Sequence, residues 1–153
     1  MLPVINKDCF LFDIDVETKG ELIEKMVETF DNSGYLNDKN LFHKDVLARE
    51  DVFSTFIDFV DVGVGLPHGK SKGVDKAGIC VSRLNNDIVW DEKTGNKASL
   101  VIMIAVGDMG ENSPHLQILS KLSRMLMHEE FRSKIKNGTV DEVYNVLKEE
   151  LEG

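Results

Sequence analysis

One histidine of this sequence stands in a setting that suits it to act as a nucleophile. His68 follows Pro67, whose ring restricts the backbone before it, and precedes Gly69, which lets the chain turn. A neutral imidazole nitrogen is a competent nucleophile near pH 7, and its phosphoryl bond is labile enough to be passed onward. His68 is therefore a candidate phosphoryl carrier, and this chemistry requires neither a metal nor another cofactor. A loop histidine without chemistry is the alternative that these residues alone leave open.

The surrounding segment, residues 63–71, is rich in glycine and is predicted to be a loop between two strands. A nucleotide-binding P-loop is the alternative for such a segment. That motif needs four residues between its first glycine and Gly-Lys-Ser, whereas Gly63 leaves five before Gly69, and Val64 stands where the glycine would be required. A helix should also follow, but a strand pattern begins near Gly78. Nucleotide binding is therefore disfavoured.

Two more residues could hold a phosphoryl group. His115 falls in the first turn of a predicted helix, where free N–H groups and the positive end of the helix dipole attract phosphate. Arg49 lies near the end of another predicted helix, and its planar guanidinium matches the geometry of phosphate oxygens. An ordinary first-turn residue and a solvated arginine are the alternatives for the two positions.

Composition limits the classes of partner. A formal net charge of −9 argues against nucleic-acid binding, which needs clustered Lys and Arg, and fits a basic or mixed-charge protein partner or simply solubility.

The longest apolar run, residues 100–106, is too short to cross a bilayer, so we expect a soluble, cytoplasmic protein without direct membrane insertion. Cys9 and Cys80 lie in apolar stretches, which favours buried thiols over a disulfide.

The order of elements predicts an α/β fold in which a mixed β-sheet is flanked by helices. At 153 residues with 42% hydrophobic content, we expect one domain over residues 1–153. Strands are predicted at residues 9–14, 56–60, 78–84, 88–90 and 100–106, the last of them central and buried on both faces. Helices are predicted after Thr18, from Asp38 or Asn40 to Glu50, after Ser113-Pro114, over residues 129–136, and after Thr139.

Three motifs in order resemble the fructose/mannitol-type enzyme IIA domains of the bacterial phosphoenolpyruvate-dependent sugar phosphotransferase system. The first is the small-residue segment that ends in Leu66-Pro67-His68-Gly69, with Gly65 where alanine is common in the family. The second is Leu47-Ala48-Arg49-Glu50 followed by Ser54-Thr55, and the third is His115-Leu116-Gln117-Ile118-Leu119 after an apolar strand. The interval from Thr55 to His68 is longer than in fructose-type members and is similar to galactitol-type domains, so the sugar stays open among fructose, mannitol and galactitol.

The resemblance implies a role for each of these residues. His68 would be the phosphorylated residue, His115 the second histidine of the pocket and Arg49 the cationic contact, with Thr55 and Gly69 supporting the phosphoryl group. The phosphoryl donor would be the histidine-containing phosphocarrier protein and the acceptor an enzyme IIB component, and association with the membrane permease component is compatible with this role. An apolar ring around His68, formed by Val62, Val64 and Leu66, would help such partners dock, unless these residues fill the core instead.

Two other functions stay open at this point. A regulatory enzyme IIA-like protein would be phosphorylated at the same histidine but would control a kinase, transporter or transcription factor. A binding module that has lost phosphoryl transfer is the third interpretation, and the presence of Arg49, His68 and His115 together argues against it.

Overall fold

A computed structural model describes residues 3–107 and 114–152 of the chain, and in these ranges six strands form one mixed sheet with helices on both faces. The elements in chain order are β1 (Ile5–Ile14), α1 (Lys19–Asn32), α2 (Lys39–Val52), β2 (Phe56–Asp58), β3 (Gly63–Gly65), β4 (His68–Ser71), β5 (Gly78–Asp91), β6 (Asn96–Gly107), α3 (Pro114–Leu126), α4 (Glu129–Asn137) and α5 (Val140–Glu152). The predicted α/β class is confirmed.

Strand β6 lies in the interior of the sheet, as the sequence predicted. It pairs antiparallel with β5 on one side and parallel with both β3 and β4 on the other. Its side chains alternate between two hydrophobic clusters, with Val101, Met103 and Ala105 in one and Leu100, Ile102, Ile104 and Val106 in the other. The uninterrupted apolar run is thus explained by burial on both faces.

Helices α1 and α2 cover one face of the sheet. The Thr18 hydroxyl accepts a hydrogen bond from the Glu21 N–H at the start of α1, which confirms the predicted cap. The Asp38 carboxylate caps α2 in the same way through the Leu41 N–H. The apolar stripe of α1 then packs into the core together with Phe42 and Val46 of α2.

Helices α3, α4 and α5 cover the opposite face. A reciprocal capping box joins Thr139 and Glu142 at the start of α5, since each backbone N–H donates to the other side chain. Helix α3 begins at Pro114 as predicted, whereas the proposed cap Ser113 lies outside the described residues. The apolar faces of these three helices enclose the second cluster.

The prediction of separate strands at residues 78–84 and 88–90 is wrong, because β5 runs through both. The polar residues between them stay in the strand at a register shift between Arg83 and Ile88. These residues interrupt the apolar pattern, and their side chains form hydrogen bonds to the backbone instead. Asn85 Nδ2 donates to the carbonyl of Asp13, and Asn86 Nδ2 donates to that of Val16. Polar residues therefore continue this strand beside the end of β1.

Candidate active site

His68 is held by the sheet. The segment predicted as a loop, residues 63–71, contains two short strands, β3 and β4, which pair with successive parts of β6. His68 opens β4 opposite Ile104, and the Ile104 N–H donates to the carbonyl of Pro67 at 3.0 Å. The loop prediction is therefore wrong for most of this segment, since glycine and proline did not prevent pairing with a strand distant in sequence.

The orientation of the His68 ring determines which nitrogen is nucleophilic. The ring is half-buried, and Nδ1 lies 2.6 Å from the carbonyl oxygen of Leu66. Because a carbonyl oxygen can only accept, Nδ1 has to carry the hydrogen of this bond. In the neutral ring Nε2 then keeps its lone pair, and Nε2 is the nitrogen able to attack phosphorus.

Gly69 lets helix α2 pass close to the strand that carries His68. A Cβ atom at this position would lie 3.3 Å from the carbonyl oxygen of Asp45 and 3.6 Å from the Cα atom of Val46. The absence of a side chain therefore lets the backbones of α2 and β4 approach each other. This approach brings the last turns of α2 to the edge of the candidate site.

Arg49 lies on α2 one turn after Asp45, within the last turn of the helix. Its side chain is half-buried, and Nη1 donates to the carbonyl of Phe53 at 2.8 Å. This bond satisfies a carbonyl near the helix end and uses one of the five guanidinium N–H donors. Among the described residues no further hydrogen bond of the guanidinium is found, so its other donors can serve an anion.

Thr55 links the end of α2 to the segment before His68. The Leu66 N–H donates to its carbonyl at 3.0 Å, and so does Trp90 Nε1 at 2.9 Å. Its own N–H and hydroxyl both donate to the Glu50 carboxylate. Thr55 therefore fixes Leu66, two residues before His68, and in this arrangement both of its own donors are directed at Glu50.

The carboxylate of Glu50 was not singled out by the sequence reasoning, which used this residue only as part of a motif. It is 6% exposed and forms an ion pair with Lys19 Nζ at 2.7 Å. Lys19, the first residue of α1, was not indicated as a site residue by the sequence either. The signal that could have indicated Glu50 is an acidic residue one position after Arg49, on the side of α2 that carries Val46 and Phe42 into the core.

His115 belongs to the first turn of α3, as predicted, but its side chain lies outside the described part of the chain. Its backbone follows β6, which pairs with β4 up to Gly107. His115 therefore comes from the helix that follows β6, the strand paired with β4. Its role stays a prediction.

The predicted apolar ring around His68 is wrong. Val62, Val64 and Leu66 are buried and belong to the core cluster beneath α3, α4 and α5. The alternative interpretation, that these residues fill the core, is confirmed. They support the strand before His68 and offer no surface to a partner.

The two cysteines are buried and not bonded to each other. Burial is the main reason that the pKa of Cys9 is raised to about 11; a hydrogen bond with Ser33 lowers it and the charge of Asp8 raises it further. Burial also raises the pKa of Cys80 well above its ordinary value. Both thiols therefore stay protonated at neutral pH and are poor nucleophiles.

Across residues 3–107 and 114–152, no cluster of three His, Cys, Asp or Glu side chains is arranged to hold a metal ion. The helices within the same ranges are too short or too polar to span a membrane.

Solved structures with the same fold define the class of protein. The nitrogen regulatory protein IIA-Ntr of Neisseria meningitidis matches with a TM-score of 0.81 at 24% identity over 94% of this chain and 96% of that one. Enzyme IIA for mannitol from Escherichia coli, solved in complex with phosphorylated enzyme IIB, matches with a TM-score of 0.77 at 23% identity over 95% and 97%. The fold is that of enzyme IIA proteins.

The sequence comparisons identify the family. Residues 3–150 match the model of the phosphoenolpyruvate-dependent sugar phosphotransferase system EIIA 2 family, and this chain belongs to that family. The resemblance that the three motifs indicated is thereby confirmed, and the chain is a phosphotransferase component.

Two curated relatives illustrate the contexts in which this unit occurs. A fructose-specific EIIA component of Haloferax volcanii is 35% identical over 88% of this chain and 86% of its own length. Multiphosphoryl transfer protein 2 of Escherichia coli K12 is 30% identical over 98% of this chain, which spans 17% of the length of that relative.

Proposed function

We propose that this chain, as one enzyme IIA domain over residues 1–153, carries phosphoryl groups in sugar uptake. It accepts the group from the histidine-containing phosphocarrier protein onto His68 and passes it to an enzyme IIB component in the cytoplasm. The observation that carries this proposal is the hydrogen bond between Nδ1 of His68 and the Leu66 carbonyl, which leaves Nε2 as a fixed nucleophile at the start of β4. The family match over residues 3–150 supports it.

The transfer balances without a cofactor. The lone pair of His68 Nε2 forms a bond to phosphorus, and the P–N bond of the donor breaks in line, returning its electron pair to the donor imidazole. The His68 ring gains positive character in this step. The hydrogen bond from Nδ1 to the Leu66 carbonyl becomes charge-assisted and stabilises that ring.

Arg49 is the residue we assign to the phosphoryl oxygens, with the side chain of His115 as a second donor. Arg49 is fixed by its bond to Phe53 and by the close approach of α2 at Gly69, so little ordering is required when the anion arrives. Since donor and acceptor are both histidine nitrogens, the transfer is nearly isoenergetic and reversible. A carrier needs this reversibility.

Enzyme IIB is supported as the acceptor by the solved complex of the mannitol enzyme IIA with phosphorylated enzyme IIB. Fructose is the first sugar to test, because the Haloferax relative is fructose-specific. A regulatory role is the second candidate, favoured by the likeness to the nitrogen regulatory IIA-Ntr protein. Transfer of phosphoryl from the labelled chain to a purified enzyme IIB separates the two, since a regulatory protein does not pass the group to a sugar-specific partner.

The carrier role is tested by intact mass after incubation with phosphoenolpyruvate, enzyme I and the histidine-containing carrier. The matched control is His128→Ala, because His128 is an exposed residue that caps α4 without a side-chain hydrogen bond. We expect one acid-labile phosphoryl adduct on wild type and on His128→Ala, and none on His68→Ala. Absence of the adduct from wild type would refute the carrier role and favour a binding module.

A further inference from the structure

An ion pair between the half-buried side chain of Lys19 and the buried carboxylate of Glu50 joins the start of α1 to the end of α2. Glu50 is 6% exposed, and Lys19 Nζ lies 2.7 Å from its Oε1 atom. The same ammonium donates to the carbonyl of Trp90 at 3.0 Å and lies 4.5 Å from the centre of the indole ring. A charged carboxylate at such depth is tolerated only with full compensation, and Lys19 supplies the opposite charge.

The other bonds of Glu50 lead towards the phosphoryl site. Its carboxylate accepts from the N–H and the hydroxyl of Thr55, and the Thr55 carbonyl accepts from the Leu66 N–H at 3.0 Å. Leu66 in turn provides the carbonyl that orients His68 Nδ1. A continuous path of polar contacts thus runs from Lys19 to the ring of the candidate nucleophile.

The position of Glu50 in the sequence adds a second connection. It directly follows Arg49, so the ion pair fixes the turn of α2 from which the guanidinium extends. Within the described residues no other cation forms an ion pair with Glu50. Loss of the Lys19 charge would leave the carboxylate buried without its counter-ion and would displace the residues bonded to it.

We propose that Lys19 is a positioning residue for phosphoryl transfer, acting through Glu50 and Thr55 on the placement of Arg49 relative to His68. The inference rests on the proposed function of His68. It also assigns Thr55 a supporting role without contact to the phosphoryl group, because its two donors are engaged by Glu50.

The test compares the rate of phosphoryl transfer per folded molecule, measured well below the unfolding midpoint. Lys19→Met should slow the transfer about tenfold, since small displacements of positioning groups are costly. Lys19→Arg keeps the charge and should stay within about threefold of wild type. Lys93→Met is the matched control, because Lys93 is exposed on the same groove as Lys19 and its replacement removes the same charge. This variant should leave the transfer rate unchanged.

A double variant distinguishes positioning from general destabilisation. In Lys19→Met with Glu50→Gln no buried carboxylate lacks a counter-ion, and the amide oxygen can still accept from Thr55. The double variant should therefore transfer phosphoryl several-fold faster than Lys19→Met alone, a non-additive result. Fluorescence of Trp90, the sole tryptophan of the sequence, should change in Lys19→Met and not in Lys93→Met.

The outcomes separate the inference from the function on which it rests. If wild type is phosphorylated on His68 and Lys19→Met transfers at the wild-type rate while its unfolding midpoint falls, the ion pair is only structural and the inference is overturned. If wild type acquires no phosphoryl group, the proposed function fails and the positioning role fails with it. Equal slowing by Lys93→Met would assign the effect to the loss of positive charge on this groove and would also overturn the inference.

Discussion

Replacing Gly65 with alanine should destabilise the protein through a specific clash with Trp90. Gly65 ends β3, and a Cβ atom at this position would lie 2.6 Å from Cε2 and 2.9 Å from Cδ2 of the indole. The Trp90 ring is 1% exposed and donates from Nε1 to the Thr55 carbonyl, so it has little freedom to move away. The glycine found here, where alanine is common in the family, thus makes room for a large side chain on β5.

The expected magnitude follows from this geometry. Ordinary carbon contacts begin at about 3.5 Å, so the new methyl group is about 0.9 Å too close to the ring. Overpacking of this kind costs about 1–3 kcal/mol of unfolding free energy. In a domain of this size each kcal/mol shifts the unfolding midpoint by about 2–4 °C, so we expect a fall of roughly 2–12 °C.

The assay is urea and thermal unfolding followed by circular dichroism, with Trp90 fluorescence as a local probe. Gly20→Ala is the matched control, because nothing lies within 4 Å of a Cβ at that helical position and the change should stabilise α1 by about 0.5 kcal/mol. Trp90→Phe combined with Gly65→Ala should recover part of the loss, since the smaller ring relieves the clash. An unfolding free energy and an emission spectrum of Gly65→Ala equal to those of wild type would refute the reasoning.

Three further predictions concern charge and reactivity. Desolvation alone would raise the pKa of Asp61, but the hydrogen bonds of this carboxylate and the charge of Arg132 hold the pKa below its ordinary value of 3.8. The ionised carboxylate therefore contributes fully to the free energy of unfolding above about pH 4, and this contribution is lost as the pH falls further. The difference in unfolding midpoint between wild type and Asp61→Asn should accordingly shrink as the pH falls from about 5 to 3, and a constant difference would contradict this. Cys9 and Cys80 should resist alkylation at pH 7 until the protein unfolds, measured by mass against a denatured sample, and rapid labelling of the native protein would contradict their burial. Arg49→Lys should slow phosphoryl transfer about 10²-fold with a nearly unchanged unfolding midpoint. A wild-type rate in this variant would contradict a contact between Arg49 and the phosphoryl group.

The sequence was most informative where local chemistry determines structure. Helices were predicted to start after Thr18 and Thr139, and the structure confirms both residues as caps. Burial of the central strand was predicted because its apolar run is uninterrupted, whereas a strand with one exposed face alternates apolar and polar residues. These elements depend on neighbours within a few residues.

The sequence was misleading where distant pairing decides the outcome. β3 and β4 form because the edge of β6 that does not pair with β5 is open to them, and no local sequence pattern indicates this pairing. The ion pair between Lys19 and Glu50 joins two helices and depends on their packing, so it could not be predicted from either helix alone. The residue types of His68 and Arg49 nevertheless made them candidates for phosphoryl chemistry, and their roles stay predictions.

The central claim is that His68 bears the phosphoryl group on Nε2, and the most direct measurement is heteronuclear NMR of the enzymatically phosphorylated, ¹⁵N-labelled protein. The hydrogen bond from Nδ1 to the Leu66 carbonyl predicts that the phosphorus couples to Nε2 of His68 and that Nδ1 keeps its proton. Coupling to Nδ1 of His68, or to the ring of any other histidine, would contradict the account.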